Sequence, residues 1–251
     1  MSFEIRHFLS ASLISAALAL PAAAQDATPV PDAAAPAPAA DATTAEAAPA
    51  PAAAEPVIQE DLFLGEESAP LTIYEYASFT CPHCAAFHKD SFETLKSEYI
   101  DTGKVRFAMR DVYFDQVGLW AGIMARCEPA KFYPIAGMLM DEQSEWLGAQ
   151  DGAALVDNLR KIGAKAGMTA EQMDACWNDQ AQVANLVATF QKNAEEDGIK
   201  ATPTFMIGGE QVENQPWEDL KAKIDEKLAE AEASSGDAAA PATDAAAPAA
   251  N

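Results

Sequence analysis

Positive charge is scarce in this chain. It has 16 Lys and Arg against 39 Asp and Glu, a formal net charge of −23 at pH 7. Within residues 57–231 acidic residues still outnumber basic ones two to one. No basic run offers itself to phosphates, which argues against nucleic acid as a partner; the acidity otherwise serves solubility. No stretch holds the roughly 20 apolar residues that a spanning helix needs, so direct membrane insertion is not expected. Internal repeats are absent. Cysteine is sparse too, with Cys81, Cys84, Cys127 and Cys176 the full set. There is no second C-x-x-C and no H-x₃-H, so a zinc or copper site would lack its other half and no metal is expected.

The ends bound the compartment. Arg6 and His7 precede an apolar run at residues 8–20, and "AAAQ" follows, the layout of a secretory signal cleaved after Ala24. No cysteine lies near that cleavage point, so no lipid anchor is suggested. Residues 1–24 are therefore expected to be removed and the remainder exported. Residues 25–56 and 232–251 are almost entirely Ala, Pro, Asp, Thr, Glu and Ser. They carry too little bulky apolar surface to offset the entropy of ordering, and are expected to be disordered, Pro-stiffened spacers. One domain, residues 57–231, lies between them.

In that domain "LTIYEYASF" reads as a buried strand from Leu71 to about Ala77, rich in β-branched and aromatic residues. A helix follows Cys81, with Phe87, Leu95 and Tyr99 on one face and Cys84 and Phe92 near it. "DTG" at residues 101–103 stops it, and "KVRFAMRDV" is the next strand. Such a strand–helix–strand unit implies a parallel pair. Residues 114–178 show only short helical patterns. A long helix then covers about 179–197 and ends at Gly198. "TPTFMIGGEQV" reads as a β-hairpin around Gly-Gly, and Pro216 opens a last helix on which Trp217, Leu220, Ile224 and Leu228 align. Setting the helical block aside leaves βαβ followed by αββα. The expected fold class is α/β, a thioredoxin-like fold with an inserted helical subdomain at about 114–178.

The stretch "SFTCPHCAAFH" carries the chemistry. Cys81 falls where a strand ends and a helix begins, among backbone N–H groups without intrahelical partners. Those donors and the helix dipole stabilise a thiolate. Pro82 suits the first helical turn, and His83 can add a donor or a positive charge near the Cys81 sulfur. Stabilising the thiolate favours the reduced pair and makes its disulfide a stronger oxidant. Cys84, one turn inside, is the expected resolving thiol. A structural staple is a poor alternative, because so short a loop removes little chain entropy. With Cys81 and Cys84 as the local pair, Cys127 and Cys176 are left as a second bridge. It would close a long loop through the helical block, worth roughly 4 kcal/mol in the chain-entropy model.

"EYASFTCPHCAAFH" followed far downstream by "ATPTF" closely resembles the DsbA-like thiol–disulfide oxidoreductases of the thioredoxin superfamily, in their alphaproteobacterial type. The resemblance runs from about Leu62 to Leu228. It implies that Thr202 and Pro203 face the cysteine pair, that their peptide bond is cis, and that an extended substrate pairs with the Thr202 backbone. Glu75, beneath the cysteines, matches an acidic residue that relays a proton. A second bridge at Cys127–Cys176 resembles one in some alphaproteobacterial relatives. The implied activity is a periplasmic thiol oxidase with no cofactor beyond its own Cys81–Cys84 disulfide, acting on reduced exported clients. A DsbB-type quinone-linked membrane oxidoreductase would reoxidise it. Two residues depart from the oxidase pattern: Thr202 stands where the oxidase has valine, and His88 where it has an acidic residue. An isomerase or reductase kept reduced in the cell is therefore the alternative, and a periplasmic copper or zinc module a more remote one.

Overall fold

The computed structural model of the protein describes residues 55–237. The expected signal segment, most of the expected linker and the end of the expected tail lie outside the described residues. A five-stranded sheet organises the domain in the order β1–β3–β2–β4–β5. Its strands are β1 (Phe63–Leu64), β2 (Leu71–Ala77), β3 (Val105–Asp111), β4 (Thr204–Ile207) and β5 (Glu210–Glu213). The first of these, a two-residue antiparallel edge on β3, has too little pattern to be read from sequence.

Strand β2 is central. It runs parallel to β3, Leu71 opposite Val105 and Glu75 opposite Met109, and antiparallel to β4, with Glu75 opposite Phe205. One face, Leu71, Ile73, Glu75 and Ala77, is fully buried, whereas on the other Thr72 and Tyr74 are partly covered and only Tyr76 is buried. The β4–β5 hairpin turns at Gly208 and Gly209, whose φ values of 56° and 87° are those a two-residue primed turn demands.

From β2 the chain enters a helical run at 82–100. It is built from α1 (Pro82–Phe87), a wide π-type turn (His88–Phe92), α2 (Glu93–Leu95) and a second wide turn (Lys96–Ile100). The expected apolar face is present: Cys84, Phe87, Leu95 and Tyr99 are buried against the sheet. Helices α3 (Gln116–Ala125), α4 (Phe132–Asp141), α5 (Gln143–Leu147), α6 (Gly152–Lys165) and α7 (Ala170–Asn178) form the insertion. Their core is Met124, Phe132, Ile135, Leu139, Trp146, Leu159 and Ile162, all buried. Cys127 and Cys176 are bonded, with Cα atoms 5.7 Å apart, joining the loop after α3 to α7. Helix α8 (Gln180–Glu196) returns the chain to the sheet, with Leu186 its fully buried residue. The last helix, α9 (Trp217–Asp237), packs Leu220, Ile224 and Leu228 into the core and continues past the expected boundary at 231.

Candidate active site

The loop between β2 and α1 is held from two sides. Its Cys81 N–H donates to the Ser78 carbonyl at 3.1 Å. The Thr80 hydroxyl donates to the Asp115 carboxylate at 2.7 Å, and that carboxylate also caps α3 through the Gly118 N–H. From α5, the Gln143 side-chain amide donates to both the Phe79 and Cys81 carbonyls, at 2.9 and 3.0 Å. The insertion thus braces the loop that carries Cys81. Nothing in "QSEWL" marks Gln143 for this; only the tertiary packing of α5 brings it there.

Cys81 is the N-cap of α1, with extended backbone (φ −84°, ψ 117°), and Pro82 opens the helix behind it. Cys81 is partly exposed and Cys84 fully buried, both as free thiols. The Cys84 thiol donates to the Cys81 sulfur and is the largest influence bringing its pKa down to about 5. Burial opposes this, while the Thr202 hydroxyl and the backbone N–H groups of Cys84 and His83 assist it. The His83 contribution to this shift is its main-chain N–H, and its exposed side chain lines an adjoining groove. Cys84 moves the other way. Burial pushes its thiol up, with the bond to Cys81 and the negative charge of Glu75 adding to the rise. The two sulfurs are thus pushed far apart in acidity, the arrangement that divides attacking and leaving roles between neighbouring groups.

The structure places Thr202 against Cys81, with Pro203 directly after it. Their peptide bond is cis, and the Cys81 thiol donates to the Thr202 carbonyl at 3.3 Å. An open groove of about 450 Å³ runs past His83, Thr202, Pro203 and Gln211. Beneath the pair, Glu75 is wholly buried and its Oε2 lies 2.9 Å from His88 Nε2, while its Oε1 has no partner. The His88 ring is stacked on Phe92, 4.7 Å between centroids, and meets the edge of Phe87. Sequence pattern alone had separated these two residues, one in a strand and one in a helix. Among the described residues no group of three or more His, Cys, Asp or Glu is placed to hold a metal ion, and no helix is long and apolar enough to cross a membrane.

The family model for thioredoxin matches residues 58–226. A protein of Rickettsia prowazekii provisionally named protein-disulfide oxidoreductase is 29% identical over 170 residues, 67% of this chain and 61% of the relative. The chain thus spans less than two thirds of that relative's length. Among solved structures, Wolbachia pipientis alpha-DsbA1 superposes with a TM-score of 0.65 at 24% identity, covering 71% of this chain and 96% of that one. A protein-disulfide isomerase from Novosphingobium aromaticivorans gives 0.61 at 25% identity, covering 67% and 98%.

Proposed function

The chain belongs to the thioredoxin family and has the DsbA-like arrangement of that fold with a helical insertion; from this premise we propose that it is a thiol oxidase that introduces disulfides into exported proteins. The observation that carries the proposal is the asymmetry of the two sulfurs, with Cys81 acidic at about 5 and Cys84 buried and held protonated. In the oxidised enzyme a client thiolate attacks Cys81. The Cys81–Cys84 bond breaks, its electron pair goes to Cys84, and a mixed disulfide forms. The client's second thiolate then attacks its own sulfur in that bond, and Cys81 departs as a thiolate. A sulfur acidic at about 5 is a good leaving group at neutral pH and a stable product, so the equilibrium favours the reduced enzyme and the oxidised client. An extended client would lie in the groove beside Thr202, pairing with its backbone as an added strand. Glu75 is the group that supplies or accepts the Cys84 proton.

The remaining parts of this reading are the setting. A cleaved secretory signal at 1–24 would deliver the domain to the periplasm, where clients fold and disulfides persist. Reoxidation would fall to a quinone-linked membrane oxidoreductase of the DsbB type. The decisive assay mixes oxidised protein with a dithiol peptide. Stoichiometric peptide disulfide, abolished by Cys81→Ala, is the expected result; a Cys81→Ala variant that still oxidises the peptide would sink the assignment.

One observation favours a second reading. Thr202 replaces the oxidase's valine before the cis proline, and a structure with the same fold is named an isomerase. Alkylation trapping in intact cells separates the two: a mostly disulfide-bonded Cys81–Cys84 pair is expected of an oxidase, a mostly reduced pair of an isomerase or reductase.

A further inference from the structure

The oxidase cycle changes the protonation of a sulfur that solvent cannot reach. Cys84 is fully buried, yet it must gain a proton when the enzyme is reduced and lose it when the disulfide re-forms. Glu75 lies near enough for its charge to act on Cys84, but Glu75 is itself buried and has no direct path to solvent. Its one side-chain partner is His88.

His88 begins the wide turn His88–Phe92 in the helical run, where π-type geometry rotates the chain relative to a regular α-helix; such turns recur at functional sites. Its Nε2 faces Glu75, and stacking on Phe92 holds the ring in that orientation. His88 also lines a cavity of about 340 Å³ between the helical run and α4. That cavity shares no residue with the groove at Thr202. The titratable groups around it are Lys89, Glu93 and Lys96 from the helical run and Tyr133 and Asp141 from α4; the strands beside Glu75 contribute Met109 and Phe205, which carry no charge.

We propose that His88 carries the Cys84 proton between Glu75 and solvent through this second cavity, so that protons enter and leave by a route separate from the client groove. This rests on the oxidase reading. As a client sulfur bonds to Cys81, the electron pair of the broken Cys81–Cys84 bond goes to Cys84, and a proton passes to it from the Glu75 carboxyl across an intervening water, since no hydrogen bond joins the two directly. Glu75 is reprotonated from the His88 imidazolium, and His88 from water in the cavity. Reoxidation runs the same transfers in reverse. Imidazole suits the task because it can accept on one nitrogen and donate from the other.

The test is stopped-flow oxidation of the dithiol peptide by His88→Ala. Loss of a positioned proton carrier should slow the step by roughly 10²-fold. Added imidazole, small enough for the vacated space and the adjoining cavity, should restore the rate, whereas thiazole, which fills the space but carries no proton at these pH values, should not. A His88→Ala enzyme as fast as wild type, or one restored equally by thiazole, overturns the proposal and leaves the oxidase reading standing. Failure of wild type to oxidise the peptide overturns the oxidase reading itself. If His88→Ala does not fold, His88→Gln keeps a hydrogen bond to Glu75 without relaying a proton. It should be slow while its Cys81 thiolate absorbance titrates as in wild type, and a wild-type rate in that variant refutes the relay.

Discussion

At the scale of single residues, acidity is the property that turns a cysteine pair into an oxidant. The Cys81 value of about 5 lies below the ordinary thiol value of 9.0. A group depressed in this way adds stability above its unfolded pKa and loses it as pH falls through the folded one. The reduced protein should therefore gain stability relative to the oxidised protein as pH rises from about 5 to about 9. Thermal unfolding of both forms across that range, with the thiolate followed by ultraviolet absorbance, measures it; a reduced-minus-oxidised difference that is flat with pH contradicts the depressed thiol. Cys84 adds nothing to this window, because its raised pKa leaves it protonated in folded and unfolded chains alike over most of the range. Much of this was legible in "CPHC": the N-cap position, the proline at the first helical turn and the inner second thiol follow from helix geometry. The leading source of the shift was less so. The sequence points to the helix end and to His83, whereas the Cys84 thiol dominates and the Thr202 hydroxyl, over a hundred residues away, assists.

At the scale of elements, periodicity found β2, β3, the helical run, the hairpin and the last helix. It could not find contacts that depend on how a short helix docks. Gln143 is the instance, a buried amide on α5 that serves two carbonyls of the redox loop. Replacing it with Leu leaves both carbonyls without that donor, at a cost of about 1–3 kcal/mol. Gln143→Leu should therefore lower the denaturant midpoint. It should also raise the pH at which the Cys81 thiolate forms, since a looser loop aims the helical N–H groups less well. A variant with lower stability but an unchanged thiolate titration would make Gln143 a packing residue and no more. Strand β1 escaped notice for a different reason: two residues cannot display a period.

At the scale of the whole molecule, side chains and one disulfide tie distant parts of the described chain together. Arg110 on β3 binds Asp61 through two hydrogen bonds and reaches Asp197, while also donating to the Tyr76 hydroxyl. It thereby fastens the segment before β1, the centre of the sheet and the end of α8 in one half-buried network. The Cys127–Cys176 bridge, spanning 49 residues, encloses α4, α5, α6 and most of α7. The chain-entropy estimate for such a loop is about 4 kcal/mol. The double variant Cys127→Ala/Cys176→Ala should unfold roughly 10 °C earlier by calorimetry. It should still oxidise the dithiol peptide, since neither cysteine touches the Cys81–Cys84 pair. Loss of peptide oxidation in a still-folded double variant would mean that the bridge serves the redox chemistry as well as stability. Setting Cys81 and Cys84 aside as the local pair left Cys127 and Cys176 for each other, and those two are bonded. The association of strand, helix and hairpin around one site was readable from their order. What the order could not convey was that the insertion is fastened to the loop it interrupts the fold to reach.

That fastening bears on how the domain could be modified. A thioredoxin-like sheet pared down by deleting the helical block would keep its strands and its C-x-x-C, yet lose the amide that spans the Phe79 and Cys81 carbonyls and the carboxylate that holds Thr80. The block is thus no detachable ornament for grafting experiments. A chimaera that moves this redox loop into another scaffold has to carry α5 and the start of α3 with it, or supply their donors and acceptors from the host.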